Sequence, residues 1–354
     1  MLLPDGLLRA VLACARRSRA LPGRAFDRDL RRAPGVVLLL LAIAVGSEAQ
    51  AAGGKVLLAR KYRSGQSTVY VTKVSTNSKI DSNPPELKNF FPPMPTSLRL
   101  TQQSTVTVGS VHPDGAADVQ HRFEKFEIQT DLDALPANIR DSVSQAQQEV
   151  SARMVGQTLT AHYDHSGRLV DFDGADDLFR DLDAPVREPL VQMLRMFLEQ
   201  MGSQSLYPDH PVKKGEEWTQ DLNAKPLRNY PFQVQGKNTL HYSGKTRYHG
   251  VKAAIVDYRV ENAVTPSLEN LRKGGALPQL ESMGAQLDMQ ITGKGEGRIL
   301  VALDDGRVLQ NHSTLHQTLR ALMKGKEGFV APTEQLPQLE IKSDTVMDVD
   351  GDTP

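Results

Sequence analysis

Hydrophobic and polar residues alternate with a period of two over most of the chain after residue 55, as is typical of β-strands with one buried face. Turn residues separate these segments in pairs, so the pattern predicts successive antiparallel hairpins. A further β region begins at Trp218. The predicted strands are 55–62, 67–76, 98–112, 116–130, 158–163, 168–173, 238–248, 253–262, 285–292, 298–303, 307–319 and 339–349.

Two irregularities interrupt the alternation. Apolar residues up to Phe123 share one face of their predicted strand, whereas Phe126 has the opposite parity, so we expect a β-bulge near Glu124. Residues 293, 295 and 297 are all glycine, which predicts a kink or bulge between two strands.

Two other segments have the period of an amphipathic helix, residues 139–154 after Pro136 and residues 186–201 after Pro185. More than ten long strands must curl, split into two sheets or close, and the helices between them favour one curved sheet. The sequence therefore predicts a mainly β (α+β) fold. We expect a large curved antiparallel sheet, or half-barrel of successive hairpins, with two amphipathic helices packed on it.

The first 51 residues have the pattern of an export signal. Arg31 and Arg32 precede the apolar stretch 36–45, and Ala49 and Ala51 form the small-x-small pattern of a signal-peptidase site. A ten-residue helix rises about 15 Å against roughly 30 Å of bilayer hydrocarbon, so this stretch is too short for an anchor. We expect export to the periplasm or the outside, with cleavage after Ala51. A start codon set too far upstream explains the long basic region of the first 30 residues.

This division predicts a leader at 1–51 and a mature part at 52–354. The mature part is expected to be a single β-rich domain, or two similar halves with the helices at about 136–204 between them. No later segment is apolar enough for a transmembrane anchor.

Composition narrows the function. The 354 residues include 42 basic and 42 acidic side chains, and zero net charge argues against nucleic-acid binding. Eight arginines but four acidic residues lie in the leader, so the mature chain is slightly acidic. The single cysteine, Cys14, also lies in the leader, which excludes an internal disulfide and a thiolate zinc site.

A search for metal ligands gives weak signals, and we expect no cofactor. His312 and His316 lie four apart in a predicted strand, which separates them by about 13 Å and makes them poor co-ligands. The weak calcium candidates are Asp171, Asp173 and Asp176. The alternative is that Asp176 or Asp177 caps a helix that begins near Leu178.

The second helical segment indicates a ligand-binding surface. Methionine is unbranched and adaptable, so a methionine-bearing helix over a curved sheet can line a cavity for a flexible apolar ligand. The cavity candidates are Met193, Met196, Phe197, Met201 and Trp218. The alternative is a core helix with gap-filling methionines.

Three short elements carry a family resemblance: the run from Pro211 to Trp218, the turn from Tyr163 to Arg168, and the hairpin from Gly297 to Gly306. Together they resemble an uncharacterised family of exported bacterial proteins with a Val-x-x-Gly-x-x-Trp element. The resemblance spans most of residues 55–349 and implies no activity. More distantly, the order of strands and helices resembles the half-barrel of periplasmic lipoprotein carriers, which bind acyl chains.

The resulting hypotheses are an exported envelope protein that binds a lipid or other apolar ligand in a curved-sheet cavity, or an envelope scaffold with a solid core and protein partners. A hydrolase comes third, because no Gly-x-Ser-x-Gly elbow or comparable catalytic motif occurs. An enzyme is therefore less favoured than a binding protein. An open cavity between sheet and helices would separate the first hypothesis from the second.

Overall fold

The computed structural model describes residues 55–83, 85, 96–133, 135, 137–181, 187, 191, 194, 195, 198, 207–221, 232–266, 285–325 and 338–352. The predicted leader and its cleavage site lie outside these residues. No helix in the described ranges is long and apolar enough to cross a membrane.

In the described part of the chain, eleven strands form one curved, unclosed antiparallel sheet, as the sequence predicts. Their order across the sheet is β5-β4-β3-β2-β1-β11-β10-β9-β8-β7-β6. The strands are β1 (Ser67–Asn83), β2 (Ser97–Val111), β3 (Ala117–Thr130), β4 (Thr158–Tyr163), β5 (Leu169–Asp173), β6 (Glu217–Asp221), β7 (Phe232–Tyr248), β8 (Val251–Pro266), β9 (Ala285–Ala302), β10 (Val308–Gly325) and β11 (Gln338–Asp352).

The sheet consists of two meanders that meet in its centre. β1 pairs with β11 over its length, from Val69 opposite Asp352 to Asn83 opposite Gln338. We call β1–β5 the N-terminal half and β6–β11 the C-terminal half. Because the first and last strands pair, the two halves share one continuous sheet.

Local sequence signals account for several details. The turn at residues 113–115 joins β2 to β3, and the turn at His249 and Gly250 joins β7 to β8. In β3, Lys125 lies opposite Gln103 and Phe123 opposite Ser104, so Glu124 is the extra residue of the expected bulge.

The first predicted hairpin is wrong. Residues 55–66 form no strand, and Val56 makes only an isolated bridge with Val212. The reason is that both edges of β1 are already paired, one with β2 and the other with β11. Residues 55–66 instead run from the C-terminal to the N-terminal half outside the sheet pairing, with a turn at residues 64–65, and we call this segment the strap.

The predicted kink at the three glycines is also wrong, because β9 runs through them and pairs with β8 and β10 without a shift in register there. Neighbouring strands crowd this part of β9. A Cβ on Gly295 would lie 2.7 Å from the Thr314 carbonyl, and one on Gly297 would lie 2.6 Å from the Tyr258 ring. The glycines are therefore explained by close approach of neighbouring residues.

Helix α1 (Ala137–Met154) packs on β3 and corresponds to the first predicted helix. A short helix, α2 (Ala175–Leu178), follows β5; its N-cap is Gly174 and it has no side-chain cap, so the predicted aspartate cap is wrong. The second predicted helix, 186–201, lies mostly outside the described residues. Leu194 and Leu198 are described there and are buried.

Among the described residues, buried apolar side chains form two main clusters, one in each half. The N-terminal cluster includes Phe123 and Leu159 of the sheet and Met154 of α1. The C-terminal cluster includes Trp218, Leu240 and other residues of β6–β10. The strap passes from one cluster to the other.

Candidate functional site

Alternation along the strap places an arginine between the two clusters. Val56 and Leu58 belong to the C-terminal cluster, whereas Tyr62 packs against the N-terminal cluster. Arg60 has the same parity and lies between them in the chain. The backbone holds the strap at both ends, through two Val56–Val212 hydrogen bonds of 2.7 and 2.8 Å and a 2.9 Å bond from Lys61 N to Asp305 O.

Three side chains at this point are enclosed and yet accessible. Protein surrounds the polar groups of Arg60, Tyr62 and Tyr207. Each residue nevertheless keeps an intermediate share of its surface accessible. The three polar groups therefore lie among many protein atoms while part of each side chain stays accessible to solvent. We call the region of these side chains, with its neighbour Tyr70, the junction cleft.

An aromatic stack forms one side of the junction cleft. The Arg60 guanidinium carbon lies 4.9 Å from the centre of the Tyr62 ring, within cation–π range. The Tyr62 ring stacks on Tyr163, with 6.1 Å between centroids and 15° between planes. The Tyr163 hydroxyl donates to the Leu198 carbonyl at 2.8 Å. The backbone of Leu198 therefore contacts the stack through Tyr163.

Two further phenols are fixed by the backbone. The Tyr70 hydroxyl donates to the Val308 carbonyl at 3.2 Å, and the Tyr207 hydroxyl donates to the Gly306 carbonyl at 2.8 Å. Burial raises the pKa of both phenols, so they stay neutral. The turn between β9 and β10 thus anchors the cleft.

That turn also carries a buried ion pair. Arg307 donates to the Asp305 carboxylate from its side chain and, at 3.1 Å, from its backbone N–H. Gln66 of the strap donates to the same carboxylate. The charge of Asp305 is therefore neutralised locally.

A buried histidine lies within reach of the Arg60 charge. His121 of β3 is 1% exposed. Burial, together with the Arg60 charge, lowers its pKa to about 3, so it is neutral at physiological pH. His312 and His316, in contrast, lie exposed on β10, in the strand that the sequence predicts for them.

Most of the sequence-predicted cavity residues cannot be placed. Met193, Met196, Phe197 and Met201 lie outside the described residues. Trp218 is 8% exposed and belongs to the C-terminal cluster.

The predicted Val-x-x-Gly-x-x-Trp element forms a corner under the strap. Val212 is buried and pairs with Val56, and Gly215 adopts a φ of +86°. A positive φ of this kind favours glycine. Trp218 then opens β6 opposite Leu240. The element therefore holds the strap and closes one end of the C-terminal cluster.

The weak calcium candidates are engaged with cationic or basic side chains. Arg195 donates to Asp171 at 3.2 Å, and His162 lies 3.0 Å from the Asp173 carboxylate. The side chain of Asp176 lies outside the described residues. In the described part of the chain, no group of three or more histidine, cysteine, aspartate or glutamate side chains is arranged to hold a metal.

The outward face of the C-terminal half has a second depression, a groove of about 680 Å³. Charges of both signs line it, including Asp257, Arg298 and Glu217. Arg298 contacts Asp257 through two hydrogen bonds of 2.6 and 3.2 Å. Such exposed pairs contribute little to stability, so the groove is a polar surface and not a second core.

A serine, a histidine and an aspartate meet beside this groove but do not form a catalytic triad. Ser243 donates to Asp257, and its oxygen lies 2.9 Å from His241 Nδ1. Because the single hydroxyl proton goes to Asp257, the imidazole must donate to the serine and cannot act as its base. The cluster therefore gives no support to a serine hydrolase.

Sequence reasoning missed the junction cleft, although a signal was present. Arg60 has the parity of Val56, Leu58 and Tyr62, so a cation interrupts an otherwise buried face. A charged residue at such a position is rare unless it has a partner or a function.

Comparisons with known proteins give a family but no activity. A family model described as a family of unknown function, DUF6263, matches residues 114–308, more than half of the chain. No curated protein matches the chain. Among solved structures, the outer membrane protein OprG from Pseudomonas aeruginosa is similar, with 6% identity and a TM-score of 0.22 over 83% of this chain and 99% of that one. A TM-score this low does not establish a shared fold.

Proposed function

Because the chain belongs to DUF6263, a family whose function is unknown, we propose its function from its own residues: it is an exported envelope protein that binds a ligand with an apolar part in the junction cleft. The observation that carries this proposal is the combination of enclosure and accessibility at Arg60, Tyr62 and Tyr207. A scaffold with a solid core has no need of an enclosed arginine that keeps accessible surface.

The surroundings of the cleft support an apolar ligand. Apolar clusters lie on both sides of it, and ligand sites are mostly apolar with a few polar groups. The proposal keeps Met193, Met196, Phe197 and Met201 as candidates for one wall, because Leu198 between them in sequence contacts the Tyr62–Tyr163 stack through Tyr163. Trp218 is kept as a candidate at the far side of the C-terminal cluster.

Export rests on the leader pattern, with its apolar stretch at 36–45 and its small-x-small site ending at Ala51. Sequencing the amino terminus of protein recovered from the cell envelope tests this part. A mature terminus near Ala52 is expected, and an intact Met1 on exported protein would contradict it.

Binding can be tested with the neutral fluorescent probe N-phenyl-1-naphthylamine and the purified chain. Saturable binding near one probe per chain is expected. Tyr207→Trp adds volume inside the cleft and should weaken binding about tenfold, which corresponds to about 1.4 kcal/mol. Val170→Trp is the matched control, since Val170 is 59% exposed on the surface, and should leave binding unchanged. Absence of saturable binding would refute the proposal.

A second candidate is an envelope scaffold that recognises a protein partner, favoured by the charged groove on the outward face. Cross-linking in envelope preparations tests it with the charge reversal Arg298→Glu. Loss of a specific cross-linked band in this variant would favour the scaffold. An unchanged pattern would count against the groove as its binding surface.

A further inference from the structure

The Arg60 charge is not balanced by a carboxylate within the described residues. No aspartate or glutamate in that part of the chain lies within ion-pair distance of it; Asp305 attracts it at longer range, and its direct contact is with the ring and hydroxyl of Tyr62. The buried carboxylate Asp305 already binds Arg307 and Gln66. An enclosed guanidinium therefore keeps one net positive charge at the border of two apolar clusters.

The other groups around the cleft add no compensating charge. His121 is neutral at physiological pH, and the phenols of Tyr70 and Tyr207 are neutral donors to backbone carbonyls. Enclosing an unbalanced charge is costly, whereas a guanidinium binds carboxylate or phosphate oxygens in a matching fork. The site is thus complementary to a monoanion.

The hydroxyl oxygen of Tyr62 accepts a hydrogen bond from Arg60, which leaves the hydroxyl proton to be donated to another group. Unlike the hydroxyls of Tyr70 and Tyr207, the Tyr62 hydroxyl donates to no backbone carbonyl in the described ranges. Stacking on Tyr163 fixes the direction of its ring. Arg60 and Tyr62 can therefore approach one anionic group together.

We propose that Arg60 and Tyr62 bind the anionic head, a carboxylate or phosphodiester, of the apolar ligand. This inference rests on the proposed binding function and names the ligand class as a monoanionic amphiphile. The single net charge of the site matches a single negative charge on the ligand.

The test compares ligands that each carry one hydrocarbon chain but differ in the polar head. The full-length protein is titrated by calorimetry with dodecanoate, with neutral 1-dodecanol and with lysophosphatidylglycerol. Wild-type protein should bind dodecanoate or the phosphodiester at least about tenfold more tightly than dodecanol, as expected for hydrogen bonds to a charged group. Equal binding of the acid and the alcohol would overturn the inference while leaving the proposed function intact.

Substitutions in the strap test which residue causes the preference for an anionic head. Arg60→Gln should remove the preference for an anionic head and leave dodecanol binding unchanged, and Arg60→Lys should retain part of it. Arg63→Gln is the matched control, because Arg63 is exposed and pairs with Asp304. If Arg60→Gln keeps the full preference, the inference is wrong.

Two further results would distinguish a failure of this inference from a failure of the proposed function. Binding of neither dodecanoate nor dodecanol would refute the proposed function itself. Inorganic phosphate that alone raises the Tm as much as dodecanoate would assign the site to a free anion and overturn the assignment to an amphiphile. If circular dichroism shows that Arg60→Gln does not fold, the comparison of dodecanoate with dodecanol on the wild-type protein still tests the inference.

Discussion

The two halves of the sheet differ in how their buried carboxamide side chains are hydrogen-bonded. In the N-terminal half, Gln147 of α1 is buried and donates to Thr130 at 2.7 Å, beside a dense apolar cluster. In the C-terminal half, Asn238 and Asn262 are buried. Neither the oxygen nor the nitrogen of their carboxamides has a hydrogen-bond partner within the described residues. The buried carboxamide of Gln147 in the first half is therefore hydrogen-bonded, whereas Asn238 and Asn262 in the second half are buried at a cost in stability.

Two glycines of the C-terminal half make room for one of these buried carboxamides. Asn262 lies between Gly236 and Gly293 on its neighbouring strands, and a Cβ on either glycine would crowd its side chain. Larger side chains at these two positions would fill the space that Asn262 uses. The two glycines thus leave room for the buried amide of Asn262.

The largest expected effect is in the N-terminal core. Phe123→Ala removes a ring that is 1% exposed and packs edge-on against Phe126 at 6.4 Å. Loss of burial and the resulting cavity should lower the free energy of unfolding by about 3–5 kcal/mol. Urea unfolding measures it, and a loss below about 1 kcal/mol would mean that this half is not a well-packed core.

A smaller effect is expected from pH, again in the N-terminal half. The folded-state pKa of His121 is about 3, below the usual value of 6.5. The unfolded chain therefore takes up a proton as the pH falls below 6.5, so stability is complete above that pH and declines toward pH 3. At pH 5 the loss should be about 2 kcal/mol.

The variant His121→Gln tests the source of this loss, since glutamine does not titrate. Unfolding free energies of wild type and variant are compared between pH 7 and pH 5. The wild-type chain should lose stability more steeply than the variant. Parallel curves would show that His121 is not the group responsible.

The smallest effects on the free energy of unfolding are expected when a buried carboxamide is replaced by leucine, and their sign should differ between the two halves. Asn262→Leu replaces an unpartnered carboxamide by an apolar group of similar shape and should raise the free energy of unfolding by about 1–2 kcal/mol. Gln147→Leu, its counterpart in the N-terminal half, removes a formed hydrogen bond and should lower it by about 1 kcal/mol. Thermal and urea unfolding measure both, and destabilisation by Asn262→Leu would remove the contrast.

Much of the fold follows from local signals in the sequence. The period of two identifies the strands, and the turns at residues 113–115 and 249–250 fix which strands form hairpins. Even the bulge at Glu124 follows from a change of parity within one strand. These features are predictable because each depends on residues close together in the chain.

The strap and the junction cleft depend on distant residues and were not predicted. The alternation of residues 55–62 is that of a strand, but β1 has no free edge because β11, more than 250 residues later, pairs with it. Arg60 becomes part of a site only because the strap brings it near Tyr70, Tyr207 and the turn at Asp305. Sequence spacing alone does not contain these contacts.

Native mass spectrometry of the full chain, expressed with its leader and purified from the cell envelope, tests the central claim most directly. The account predicts one bound amphiphile per chain, carrying an acidic head and released by organic solvent, and predicts its loss in Arg60→Gln but not in Arg63→Gln. A chain that carries no ligand, and takes up none when incubated with dodecanoate, would contradict the account.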